Sequence, residues 1–286
     1  AAIGGIISAP IVGLLFIWFG SWQATFIMIG VLGLLWLVPW LVVYKSGPAT
    51  HPWLDESERQ YILTGQRNEE THQVAEYAPN SGEILSRKES WGVILASFFL
   101  DPIWWLFVGW LPLYLNETYG FGVAEIASFA WIPYVGAMFG AWFGGLLAQN
   151  RISAGWTVNK ARKFVISLGG LIMLISLLLT IKAATPIVAV LLMAAILFGF
   201  QTAVGNIQTL PSDFYSGKSV GSLAGFAGTA AKLAVVLLNF LIPVITVNSY
   251  APAFAVGAGL AIMTVVSVFI LCPHIQPLSP RSADSA

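Results

Sequence analysis

Apolar residues dominate this chain in long, unbroken stretches. No Asp, Glu, Lys or Arg occurs before Lys45, between Lys182 and Asp213, or between Lys232 and Arg281. Each stretch has room for at least one membrane span of about 20 residues. Unsatisfied backbone groups are costly in hydrocarbon, so each run must be a helix or a barrel strand, and runs this long mean helices. The first stretch is too long for one span, and its only polar break is Gly20–Gln23, GSWQ. It therefore predicts two helices, at about 1–19 and 24–44, and six more follow at about 91–115, 122–148, 164–182, 186–210, 220–247 and 251–272, separated by turns rich in Gly, Pro, Asn or Ser. The expected fold class is an all-α polytopic membrane protein with eight transmembrane helices. The long polar segment, about 45–89, holds half of the charged residues. Within it, HPWLDESERQYILTGQRNEE reads as a surface helix capped by Asp55, with Glu58 three residues later and Trp53, Leu54, Tyr61 and Ile62 on an apolar side.

Composition sharpens this picture. The chain is 57% hydrophobic and 9% charged, with mean hydropathy +0.81, whereas a soluble domain carries roughly a quarter charged residues. Net charge is zero and the basic residues are scattered, which sets nucleic-acid partners aside. A single cysteine, Cys272, excludes an internal disulfide, and His51, His72 and His274 lack metal-ligand spacing. No nucleophile–base grouping or phosphate-binding glycine loop is visible, so neither an enzyme nor a cofactor or metal is expected. The chain opens without Met or a basic leader region, and we expect it to begin inside or just before a span, as part of something longer.

Orientation follows from the basic residues. One side holds Lys45, Arg59, Arg67, Arg87, Lys88, Arg151, Lys160, Arg162, Lys163, Lys218 and Arg281; the other holds Lys182, and Lys232 lies inside a span. The basic side is expected to be cytoplasmic and to carry both chain ends.

Two helices, a long charged loop and six helices resemble what remains of a twelve-helix major facilitator transporter without its first four helices. FFLDPIWWLFVGWLPLYLNETYGF, GGLLAQNRIS…VNKARK and FQTAVGNIQTLPSDFYSGKSVGSLAGFAGTA resemble the sugar-acid (hexuronate and galactonate) branch of the anion:cation symporter family. The resemblance covers essentially the whole chain. It implies residues 1–44 as the fifth and sixth helices, 45–89 as a cytoplasmic central loop, 90–273 as the C-terminal six-helix bundle and 274–286 as a cytoplasmic tail. It further implies an inner-membrane, monomeric carrier that takes up a sugar-acid anion with protons by alternating access, its site near the midplane between two bundles. A symporter for a dicarboxylate or aromatic acid, and a non-transporting receptor or scaffold on the same fold, are the alternatives.

Lys232 is the sharpest single signal, because a mid-span lysine costs about 2.5–3.5 kcal/mol on insertion scales. Gly221, Gly225 and Gly228 share its face and are expected to admit another helix, while Asn239 extends the polar stripe. Lys232 reads either as a cation for a substrate carboxylate or as half of an internal ion pair. Asp101, immediately before Pro102, reads as a partner for Lys232, a proton carrier, or a residue bonding to backbone freed by the proline. In the span at 186–210, Gln201 and Asn206 suit a polyhydroxylated ligand or interhelical hydrogen bonding equally, and Thr202, Gln208 and Thr209 favour packing. Trp105, Trp110, Tyr114 and Tyr134 are candidates for stacking on a sugar ring. Gly136, Gly140 and Gly144 form a close-packing stripe. Arg151, Lys160, Arg162 and Lys163 resemble a degenerate form of the superfamily's cytoplasmic loop motif; with Asp213 as local partner, Arg151, Arg162 and Lys163 form a candidate cytoplasmic gate.

Overall fold

The computed structural model describes residues 2–44, 46–72 and 79–279. Lys45 and Arg281 of the expected basic side, and 280–286 of the expected tail, lie outside the described residues. The chain divides into two compact units, Leu14–Glu76 and Ala1–Gly13 with Tyr77–Ala286. Every regular element among the described residues is helical.

In the smaller unit, the end of α1 (Ala2–Phe19) is followed by α2 (Trp22–Leu35) and α3 (Leu37–Val43). The GSWQ break makes the expected turn: Gly20 takes φ +62°, and the Ser21 hydroxyl accepts the Ala24 amide at the start of α2. The polar segment yields α4 (Glu56–His72), directly preceded by Asp55 as its composition predicts. The Ser57 hydroxyl and nearby backbone amides stabilise the Asp55 carboxylate and lower its pKa, which suits the positive end of a helix.

The larger unit contains α5 (Ser81–Ser86), α6 (Lys88–Tyr119), α7 (Val123–Phe129), α8 (Ile132–Ser153), α9 (Val158–Thr180), α10 (Pro186–Gln208), α11 (Leu210–Phe214), α12 (Gly217–Ile245) and α13 (Ala251–Leu271). Side-chain caps begin the long helices where the sequence offers them: Thr157 accepts the Lys160 amide and Thr185 the Val188 amide. Gly120, in the left-handed region at φ +71°, ends α6. Among the described residues, seven helical segments are long and apolar enough to cross a membrane: 22–43, 88–119, 123–153, 158–180, 186–214, 217–245 and 251–271. The expected first span, α1, is apolar but shorter.

Helix α10 packs against α8 and α9, α6 against α12 and α13, and α13 against α9. Leu100, Ile103, Leu115, Ile166, Met173 and Ile196 are fully buried at these seams. The glycine stripe on α8 explains the tight α8–α10 contact: a methyl group at Gly136, Gly140 or Gly144 would strike the backbone of Ala194, Phe198 or Thr202, respectively. Gly169 and Gly199 do the same for α9 and α10. At the start of the chain, Gly5 lies against the Tyr134 ring and Gly13 against Ala127, so the first residues of α1 run along α7 and α8.

Gly221, Gly225 and Gly228 have no neighbour close enough to meet an added methyl group; they admit a helix sterically, but none of the described residues fills the place.

Candidate functional site

Helices α6, α10 and α12, with Pro211 of α11, line a cavity of about 420 Å³. Helix α6 contributes Ser97 and Asp101, which are four residues apart and share a face with Trp105. Helix α12 contributes Ala224, Gly228 and Lys232, and α10 contributes Val204 and Gln208. The Lys232 ammonium donates to the Asp101 carboxylate at 2.5 Å and stands 5.1 Å from the centre of the Trp105 ring. The lysine side chain is 61% exposed and the aspartate 23%, so the pair forms part of the cavity wall with its cation on the open side. The geometry brings Asp101 and Lys232 together as an ion pair. The Asp101 carboxylate is used by Lys232, and α6 continues unbroken through Pro102 and Pro112.

The other predicted residues separate into distinct groups. Asn239, on the same helix as Lys232, accepts from the Trp110 indole at 3.1 Å and donates to the Val235 carbonyl. Tyr134 packs edge-on against Trp104, which in turn rests on Phe200. Tyr114 is buried and boxed in by Tyr119, Tyr250 and Phe254. Its ring faces are committed to packing, and it borders a second cavity of about 360 Å³ with Glu117, Thr180 and Tyr250. That cavity lies at the opposite end of α6 from its basic start.

Gln201 is half-buried on α10 and is absent from the Asp101–Lys232 cavity lining. Asn206 is 2% exposed and fully engaged. Its amide donates to the Gly144 and Thr202 carbonyls and its oxygen accepts from Arg162 at 3.1 Å. Its position therefore matches the interhelical hydrogen-bonding reading. Gln208, read from sequence as packing, instead lines the cavity. Ser97 was not singled out, although its place four residues before Asp101 is the signal that finds it.

At the basic end, the candidate gate residues part company. Arg162 Nε donates to Asp213 at 3.0 Å, tying α9 to α11, and Lys163 donates to the Pro273 carbonyl. Arg151 turns instead to the Trp156 ring. The segment after α13 is strapped across this end: Ile275 donates to Asn159 and Leu278 to the Phe214 carbonyl. No sequence signal announces these backbone-centred bonds. No group of His, Cys, Asp and Glu suited to a metal ion occurs among the described residues.

Comparison with known proteins agrees with this architecture. The hexuronate transporter of Escherichia coli K12 is 33% identical over 282 residues, covering 96% of this chain and 63% of that protein. The galacturonate transporter of Dickeya chrysanthemi is 38% identical over 181 residues, 61% of this chain and 50% of that protein. The chain thus spans just under two thirds of the length of the hexuronate transporter. A crystal structure of a bacterial homologue of the human lysosomal transporter Spinster, inward-facing and unoccupied, aligns with a TM-score of 0.50 at 15% identity, covering 95% of this chain and 66% of that one; this likeness concerns the fold alone. The Major Facilitator Superfamily model matches residues 1–238, and with an all-helical bundle of membrane-length helices beneath that match, the chain belongs to the Major Facilitator Superfamily.

Proposed function

We propose that this chain serves a secondary transporter that takes up a hexuronate- or aldonate-like anion together with protons by alternating access. The observation that carries the reading is the cavity of about 420 Å³ with Lys232 on its open side, a size within the ordinary range for small-ligand pockets. Lys232 attracts the substrate carboxylate. Gln208 and Ser97 offer donors and acceptors to hydroxyls, and Trp105 offers a ring face beside the cation. The named relatives that carry hexuronate and galacturonate support the substrate class. Asp101, the carboxylate beside Lys232, is the proposed proton-coupling group of this half.

In this reading, 1–44 contributes two helices of the N-terminal bundle, 45–89 the central loop, 90–273 the C-terminal bundle and 274–286 the tail, eight spans in all. The basic end of the larger unit faces the cytoplasm across the inner membrane, and Arg162 with Asp213 latches it. The working unit is a monomer.

The deciding experiment is uptake of labelled galacturonate, glucuronate and galactonate by cells expressing the full-length transporter that contains this chain, with and without a proton ionophore. Ionophore-sensitive uptake of at least one sugar acid is expected. Uptake of another carboxylate with none of the three would overturn the substrate class, and ionophore-insensitive uptake would overturn proton coupling.

A further inference from the structure

Four basic residues cluster around the turn between α8 and α9, and two of them are engaged internally: Arg162 pairs with Asp213, and Lys163 donates to the Pro273 carbonyl. Arg151 and Lys160 form no ion pair among the described residues. Gly155, at φ +88°, folds the chain back so that the Trp156 amide donates to the Arg151 carbonyl. The indole then holds two cations close by: the Lys160 ammonium is 4.2 Å and the Arg151 guanidinium 5.2 Å from its ring centre. Arg151 also stands 5.7 Å from the Phe164 ring, which packs edge-on against Trp156 at 5.4 Å.

A second observation lies on α9 below this cluster. Phe164, Leu171, Ile175 and Leu178 are all exposed, and their spacing of seven, four and three residues puts them on one helix face. Lys160 precedes Phe164 by one turn and heads the same stripe. Helix α9 has 23 residues, a rise of about 35 Å against a hydrocarbon core of about 30 Å. With the stripe in hydrocarbon, Trp156, Arg151 and Lys160 stand at headgroup depth, where aromatic and basic side chains anchor.

We propose that the α8–α9 turn is a seat for an anionic phospholipid. Its phosphodiester sits between Arg151 and Lys160 beside Trp156, and an acyl chain descends along Phe164, Leu171 and Ile175. Two unpaired cations joined to an exposed apolar stripe match a ligand with a charged head and an apolar tail. A free phosphate lacks the tail, and an acidic peptide would not follow the stripe into hydrocarbon.

The test uses the protein in nanodiscs of phosphatidylethanolamine with equal phosphatidylglycerol or phosphatidylcholine, with retained lipid counted by native mass spectrometry. Phosphatidylglycerol is expected to be retained in preference to phosphatidylcholine. The preference should fall roughly thirty-fold in R151Q/K160Q, since each basic side chain near an anionic surface contributes roughly five-fold, and persist in R151K/K160R. If R151Q/K160Q does not assemble, K160Q, at an exposed position, is expected to lose roughly five-fold. Equal retention of the two lipids, an unchanged preference in the neutral variants, equal loss in R151K/K160R, or displacement of phosphatidylglycerol by excess inorganic phosphate overturns the proposal.

Discussion

At the scale of single residues, the charges within the spans carry most of the information. A lysine in mid-helix must be offset by something nearby, and Asp101 at 2.5 Å is what offsets Lys232. Removing one member leaves the other charged without its partner; removing both does not. K232M and D101N are each expected to lower stability in detergent, and the double variant to lose less than the sum of the two. Because Lys232 is largely exposed to the cavity, screening limits the coupling to about 1 kcal/mol. A double variant that merely adds the two losses denies the pair an energetic role. Cys272 illustrates the opposite environment, beyond the last span. Burial, with Glu89 nearby, pushes its thiol up to about 12, against a smaller opposing pull from Lys163. The thiolate therefore stays scarce at neutral pH and begins to accumulate only as pH approaches that value. Maleimide should label it slowly in the folded protein and readily after denaturation; labelling at the rate of a free thiol in the folded state would refute its burial.

At the scale of elements, the sequence makes spans legible and partners much less so. The long uncharged runs announce most helices within a few residues, because hydrocarbon leaves the backbone no other way to satisfy itself. Two glycine stripes show where the reading stops. On α8, Gly136, Gly140 and Gly144 each meet the backbone of α10, whereas on α12 Gly221, Gly225 and Gly228 meet nothing among the described residues. Small residues state what may approach and leave open what does. The same limit applies to Asn206, whose residue type suits a ligand or a neighbouring helix equally until Arg162 and Gly144 are seen to occupy it. The two stripes should therefore respond oppositely to one methyl group. Gly140→Ala forces α8 away from the Phe198 carbonyl and is expected to cost about 1–3 kcal/mol. Gly225→Ala meets open space and gains helix propensity, a stabilisation of up to about 1 kcal/mol. Thermal unfolding in detergent separates them, and equal shifts in Tm would contradict the packing.

At the scale of the whole molecule, the proposed orientation is the reading with the widest consequences. Eleven of the thirteen Lys and Arg residues fall on one predicted side, and in the larger unit Arg87, Lys88, Arg151, Lys160 and Lys218 gather where α6, α9 and α12 begin and α8 ends. Lys182, just after α9, stands at the other end of that bundle. Such asymmetry is what retains one side of a polytopic protein in the cytoplasm, and the proposed cytoplasmic placement of the Arg162–Asp213 latch depends on it. The lone cysteine makes the question simple to answer, since a buried, protonated Cys272 contributes little background to thiol labelling. Lys182 and Lys218 are both exposed, so a cysteine at either position reports its own side without disturbing the core. In intact spheroplasts, K182C is expected to react with a membrane-impermeant maleimide and K218C to react only after the membrane is opened. The reverse pattern would invert the molecule, moving the latch outside and turning the Tyr114–Tyr250 cavity toward the cytoplasm.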